Sequence, residues 1–316
     1  MASEETLVVA LGGNAITRAG EPGTIPQQFE HTAETLGQLL PLFRDGRKIA
    51  ITHGNGPQIG NILIRVEEGE RRVPRLPLDT CVSDSQGGMG YMIQRVACEI
   101  FRREGIARTA ATVITQVLVN EGDPDMVHPS KPIGPFYSDE EAAKIREERP
   151  HWELAGLGPG KWRRVVASPR PLRILEIDAI AALVEAGVVV IACGGGGIPV
   201  AWENDRLAGV EGVVDKDLAS ALLARDLQAQ RLIILTSVEC AWTGFGRKDA
   251  RPLGRIAVRE ARAYLRAGEF PAGSMGPKIE AAIDFVEHGG EECIITSAEH
   301  VGRAIEGRAG THVVAE

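Results

Sequence analysis

Three lysines stand in three separate glycine- and proline-rich settings: Lys131 in His-Pro-Ser-Lys-Pro-Ile-Gly, Lys216 in Val-Asp-Lys-Asp-Leu-Ala, and Lys278 in Gly-Ser-Met-Gly-Pro-Lys. Two loops accompany them, Gly12-Gly13-Asn14 and Gly54-Asn55-Gly56, each directly after an apolar, strand-like run. Exposed glycine backbone with isolated lysines suits phosphate oxygens whose charge is being redistributed. Phosphoryl transfer asks for positioning and positive charge, with no covalent protein chemistry. The pattern is that of a small-molecule kinase.

Each motif also has an ordinary explanation. A glycine loop after a strand can be a turn that needs positive φ. Two such loops at equivalent places, each carrying an Asn that both donates and accepts, point instead to a site. Asp217 could be a helix N-cap and Lys216 a solvated residue; the functional reading has Lys216 neutralise the transferred group while Asp217 orients it. The run Gly194–Gly197 costs backbone entropy and predicts a close approach to a ligand or to another loop. It matches neither G-x-x-x-x-G-K-[ST] nor G-x-G-x-x-G, so a nucleotide would be held by another design. The seven histidines show no metal-ligand spacing, and His53 reads as packed or turn-bonded. No protein-held metal is expected; magnesium would arrive with the nucleotide phosphates.

These residues need a frame. Apolar runs at Leu7–Leu11, Lys48–Thr52, Ala111–Gln116, Val188–Ala192, Leu232–Thr236 and Glu292–Thr296 predict buried, mostly parallel strands. Amphipathic stretches between them predict helices at Phe29–Phe43, Ile59–Glu68, Asp84–Arg103, Glu176–Glu185, Asp217–Leu227, Val258–Leu265 and Pro277–Glu287. The alternation predicts an α/β protein, a three-layer αβα sandwich around a mainly parallel open sheet. Ligands in such sheets bind beyond the carboxyl ends of the strands. That rule puts Gly12–Asn14, Gly54–Gly56, Gly194–Gly197 and Thr236–Val238 along one rim. From about 119 to 165 the chain is rich in Pro, Gly and charge, with one helix expected at Asp139–Glu148. Such an insertion predicts a small protruding subdomain, a lid or binding loop carrying Lys131, within one domain spanning 1–316.

Bulk composition bounds the rest. A net charge of −8 and 4% aromatic residues disfavour nucleic acid as a partner. Five scattered cysteines without a C-x-x-C pair fit reduced thiols in a cytoplasmic protein. No apolar stretch is long enough to predict a membrane span, and Leu7–Leu11 is too short for a signal peptide.

Taken in order, the segments Ala10-Leu-Gly-Gly-Asn-Ala15, Thr52-His-Gly-Asn-Gly-Pro-Gln58, Lys131-Pro-Ile-Gly-Pro-Phe-Tyr137, Val165-Val-Ala-Ser-Pro-Arg-Pro171, Ala192-Cys-Gly-Gly-Gly-Gly-Ile-Pro199, Gly212-Val-Val-Asp-Lys-Asp-Leu-Ala-Ser220 and Gly273-Ser-Met-Gly-Pro-Lys278 resemble the carbamate kinases of the amino-acid kinase superfamily. The resemblance implies a homodimeric enzyme that exchanges a phosphoryl group between carbamoyl phosphate and ADP, giving ATP and carbamate. It implies a protruding subdomain over the carbamate site. By the same resemblance Lys131, Lys216 and Lys278 are the catalytic lysines and Asp217 their organiser. Gly12, Gly13, Asn14, Gly54, Asn55 and Gly56 form the substrate and phosphoryl cradle, and Thr236, Ser237, Val238, Gly273, Ser274 and Met275 flank ATP or ADP with Mg2+. One departure stands out: the family's Thr-Asp-Val-Asp is Thr236-Ser237-Val238-Glu239 here. The competing readings are another small-molecule kinase of the superfamily and a non-catalytic sensor of nucleotide or carbamoyl phosphate.

Overall fold

The computed structural model describes residues 5–18, 20–271 and 273–316; the Asn14 side chain lies outside the description. Its main sheet has eight strands: β1 (Thr6–Leu11), β2 (Lys48–His53), β3 (Ala110–Thr112), β4 (Val189–Ile191), β5 (Arg231–Leu235), β6 (Arg255–Ala257), β7 (Glu292–Thr296) and β8 (Thr311–Val314). Their order across the sheet is β6-β8-β7-β5-β1-β2-β4-β3. Every pairing is parallel except β7 with β8.

β1 shows why these runs are apolar on both faces. Alternate side chains on a strand point to opposite sides. Val8 and Ala10 join one core cluster, with the helices Ile177–Glu185, Lys216–Asp226 and Met275–Glu287. Leu7, Val9 and Leu11 join the other, with the helices Ile25–Gln38 and Leu78–Arg103. The sheet is thus covered on both faces, the expected αβα sandwich.

Several boundaries differ from expectation. The run predicted as one strand, Ala111–Gln116, divides between β3 and a separate strand, Gln116–Leu118. Gln116–Leu118 leaves the main sheet for a four-stranded one, paired with Ile198–Glu203 and Arg173–Ile174. The helix predicted over Phe29–Phe43 breaks after Gln38, and a short helix, Leu40–Arg44, restarts with proline in its first turn. Pro41 has no N–H to donate back into a continuous helix. β6 and β8 are short edge additions with no long apolar run to announce them.

The insertion is more regular than its composition suggests. Three antiparallel strands, Lys131–Tyr137, Trp162–Val166 and Glu153–Gly156, form a small sheet in that order. Helix Asp139–Glu148 begins where predicted, because Ser138 and Glu141 satisfy each other's backbone N–H groups in a capping box. Ile133 and Val166 of the small sheet share a core cluster with Ile59 and Leu63 of helix Gly56–Gly69. Beside them Trp152 is stacked by three guanidiniums, from Arg75, Arg149 and Arg164 at 4.8, 4.5 and 4.2 Å.

Candidate active site

The adjacent parallel strands β5, β1, β2 and β4 end side by side, so the loops after Leu235, Leu11, His53 and Ile191 share one rim. Close packing there dictates glycine. A Cβ on Gly12 would lie 2.7 Å from the Leu235 carbonyl oxygen. One on Gly195 would lie 2.2 Å from Asn55 Nδ2, and one on Gly196 2.1 Å from the Val214 carbonyl. The glycine run therefore serves mainly to let neighbouring loops nest, while Gly195 also lines the cavity described below. Asn55 itself is fixed by donating to Ser85 Oγ at 2.8 Å. His53 is buried, with Nδ1 3.2 Å from the Gly54 carbonyl. Burial lowers its pKa to about 4, and the nearby Lys216 charge adds to the effect. It is a neutral, packed side chain.

The lysines converge. Lys216 opens helix Lys216–Asp226, and Lys278 lies in the first turn of helix Met275–Glu287. Asp217 receives both, at 2.6 Å from Lys216 Nζ and 3.0 Å from Lys278 Nζ. Lys216, Asp217 and Lys278 keep only 11%, 6% and 14% of their side-chain surface exposed, so the solvated reading of Lys216 is set aside. The Lys216 contact is a charge contact without hydrogen-bond geometry, so the buried ammonium keeps unfilled donors. Asp217 is not the N-cap. That part belongs to Asp215, whose Oδ1 accepts from the Asp217 backbone N–H at 2.8 Å. The other oxygen of Asp215 accepts from Lys131 Nζ at 2.8 Å.

The electrostatics follow from burial and charge together. Burial pushes the Asp217 carboxyl up, but the ammonium groups of Lys216 and Lys278 outweigh it and hold the pKa at about 2. Burial pushes the Lys216 ammonium below the ordinary lysine range; Asp217 opposes this and Lys278 reinforces it. Asp217 is thus an ionised bracket between two cations. Two helix N-termini meet here as well, and their unpaired N–H groups add positive potential.

Two cavities meet at this point. The smaller, about 730 Å³, is lined by Gly13, Gly54, Asn55, Gly56, Lys131, Lys216 and Asp217. The larger, about 890 Å³, is lined by Gly12, Thr236, Ser237, Val238 and Met275. Both touch Gly13, Gly273, Ser274 and Lys278, which form the waist between them. The altered turn keeps its carboxylate in the larger cavity, where Glu239 Oε2 lies 3.8 Å from His300 Nε2. Two further residues were not singled out from sequence. Asp215 could have been, since an Asp directly before a helical run is an N-cap signal. Arg163, which lines the smaller cavity, sits in an undistinguished basic run, Lys161-Trp-Arg-Arg. Among the described residues no group of three or more His, Cys, Asp or Glu is placed to hold a metal ion.

Known proteins resemble this chain over nearly its whole length. The profile of the amino acid kinase family matches residues 5–297. A carbamate kinase of Thermococcus kodakarensis is 44% identical over 313 residues, covering 98% of this chain and 99% of that protein. A carbamate kinase-like protein of Escherichia coli is 43% identical, with 98% and 99% covered. The structure of carbamate kinase from Giardia lamblia bound to AMP-PNP superposes with a TM-score of 0.94 at 38% identity, covering all of both chains. The chain belongs to the amino acid kinase family, among its carbamate kinases.

Proposed function

We propose that the chain moves a phosphoryl group between carbamoyl phosphate in the smaller cavity and ADP in the larger, forming ATP and carbamate, and runs the reverse. The observation that carries this reading is the waist itself: two ligand-sized cavities joined at Gly13 and Lys278, with Lys216 and Asp217 beside it. Going forward, an ADP β-phosphate oxygen forms the new P–O bond while the bond to the carbamate oxygen breaks. The attacking and leaving oxygens are both anionic, so no proton has to move and no general base is needed. This fits a neutral, packed His53 and an Asp217 held ionised between lysines.

The barrier is then mainly repulsion among anions, which preorganised cations relieve. Lys216 and Lys278 neutralise the travelling group, Asp217 keeps them apart at fixed positions, and Gly13 lets backbone approach it. Lys131, carried by the small sheet, serves the carbamoyl end, and that sheet covers the substrate. Magnesium belongs to this reading as an ion held by nucleotide phosphates, because Asp215 and Asp217 are already committed to lysines. Use of ATP and ADP is supported by the AMP-PNP complex of the Giardia relative. The reading includes a homodimer in the cytoplasm; no helix among the described residues is long and apolar enough to cross a membrane.

The test is ATP formation from carbamoyl phosphate with magnesium ADP, beside acetyl phosphate. Turnover confined to carbamoyl phosphate is expected. Preference for acetyl phosphate would move the chain to another acyl-phosphate kinase. Light scattering checks the dimer.

A further inference from the structure

The smaller cavity is lined by four cationic side chains among the described residues: Lys131, Arg163, Lys216 and Lys278. Its three carboxylates are all engaged. Asp215 holds Lys131, Asp217 holds Lys216 and Lys278, and Glu21 lies 2.6 Å from His31. Arg163 is left as the cation without a carboxylate. Its Nη2 donates to the Gly134 carbonyl at 2.9 Å, and its guanidinium lies 5.1 Å from the Phe136 ring centroid. Nε is buried with no hydrogen-bond partner. A half-buried guanidinium with an unfilled donor is costly unless something else completes it.

Its placement says what that is. Arg163 stands on Trp162–Val166, the strand paired with Lys131–Tyr137, so the small sheet contributes two cations to the cavity lining. In the proposed reaction Lys278 at the waist and Lys216 beside it serve the phosphoryl group. Gly134, at φ +73°, lies within the irregular stretch of the Lys131 strand, and its carbonyl accepts from the guanidinium. A planar guanidinium fork matches the planar O–C–O group of the carbamoyl end, which gains the delocalised negative charge of carbamate as its bond to phosphorus breaks. We infer that Arg163 is a substrate-binding residue that grips the carbamoyl oxygens and stabilises the departing carbamate; this rests on the carbamate kinase reading above.

The test compares Arg163→Gln and Arg163→Lys with the wild type, varying carbamoyl phosphate and ADP separately. Losing a charge-assisted contact should lower kcat/KM for carbamoyl phosphate about tenfold to a hundredfold in R163Q. R163K, which keeps charge but not the fork, should recover part of the loss. KM for ADP and the thermal midpoint should stay at wild-type values, which a merely structural role would not allow. A kcat/KM within twofold of wild type, a matching rise in KM for ADP, or failure of both variants to fold would overturn the inference. An inactive wild type would overturn the functional reading as well, whereas an active one with insensitive variants would overturn this inference alone.

Discussion

Lys131 donates to Asp215 at 2.8 Å, across 84 residues of sequence, and so ties the small sheet to the N-cap of the helix that carries Lys216 and Asp217. One carboxylate thereby caps the helix that carries Lys216 and Asp217 and holds the Lys131 ammonium. Lys131 is 40% exposed, so the ion pair contributes little to stability, at most about 1 kcal/mol. Lys131→Ala should therefore leave the melting temperature nearly unchanged while kcat/KM for carbamoyl phosphate falls about tenfold or more. KM for ADP should not move. Steady-state kinetics with each substrate varied, beside thermal unfolding, reads all three quantities.

Asp217 and Lys216 separate stability from catalysis. Removing the shared carboxylate, as in Asp217→Ala, leaves a buried ammonium without its counter-charge and should cost about 3–5 kcal/mol of stability, read in denaturant unfolding. Lys216→Met keeps the stem and leaves Asp217 paired with Lys278, so its stability loss should be the smaller. Its turnover should nevertheless fall by roughly 10³ or more, since a cation on the travelling phosphoryl group is gone.

Gly13 and Gly196 make a contrasting pair. Among the described residues, chain neighbours apart, nothing lies within 4 Å of a Cβ added at Gly13, and the residue lines both cavities. Gly13→Ala should change stability by less than about 1 kcal/mol yet lower kcat/KM sharply, because the methyl enters the space where phosphate approaches. Gly196 has φ +94° and an added Cβ would strike the Val214 carbonyl at 2.1 Å. Gly196→Ala should destabilise the whole domain, and chemical denaturation distinguishes the two glycines.

Two buried histidines give opposite pH signatures. His53 is depressed to about 4 from an ordinary 6.5, so the unfolded chain binds its proton more readily. Its stabilisation is full above pH 6.5 and is lost as pH falls towards 4, on the order of 3 kcal/mol across that window. His312 is raised, chiefly by its hydrogen bond to Glu292 at 3.0 Å. Its stabilisation is full below 6.5 and is lost as pH rises through its folded value. Melting temperatures across this range should flatten on the acid side in His53→Asn and on the basic side in His312→Gln.

How much of this was legible in the sequence depends on the length scale of each feature. The buried parallel strands announce themselves because both faces of Leu7–Leu11 or Glu292–Thr296 must be apolar. The short edge strand Arg255–Ala257 does not, having one buried residue and no pattern to detect. Lys131, Lys216 and Lys278 stood out through their glycine and proline settings. The division of labour around them did not, because which lysine each of Asp215 and Asp217 holds is set by elements distant in sequence. The purpose of Gly194–Gly197 was likewise hidden, since the atoms it makes room for, on Asn55 and Val214, are distant in sequence. Arg163 gave no local signal; only the count of committed carboxylates around the cavity sets it apart.

In the proposed function the Lys216–Asp217–Lys278 cluster supports phosphoryl transfer between the two cavities. The most direct measurement is single-turnover ATP formation from saturating carbamoyl phosphate and magnesium ADP, comparing wild type with Lys216→Met after ADP binding to both has been checked by calorimetry. The expected outcome is ATP from the wild type, a rate lower by roughly 10³ or more in the variant, and unchanged ADP affinity. Equal rates in the two proteins would contradict it.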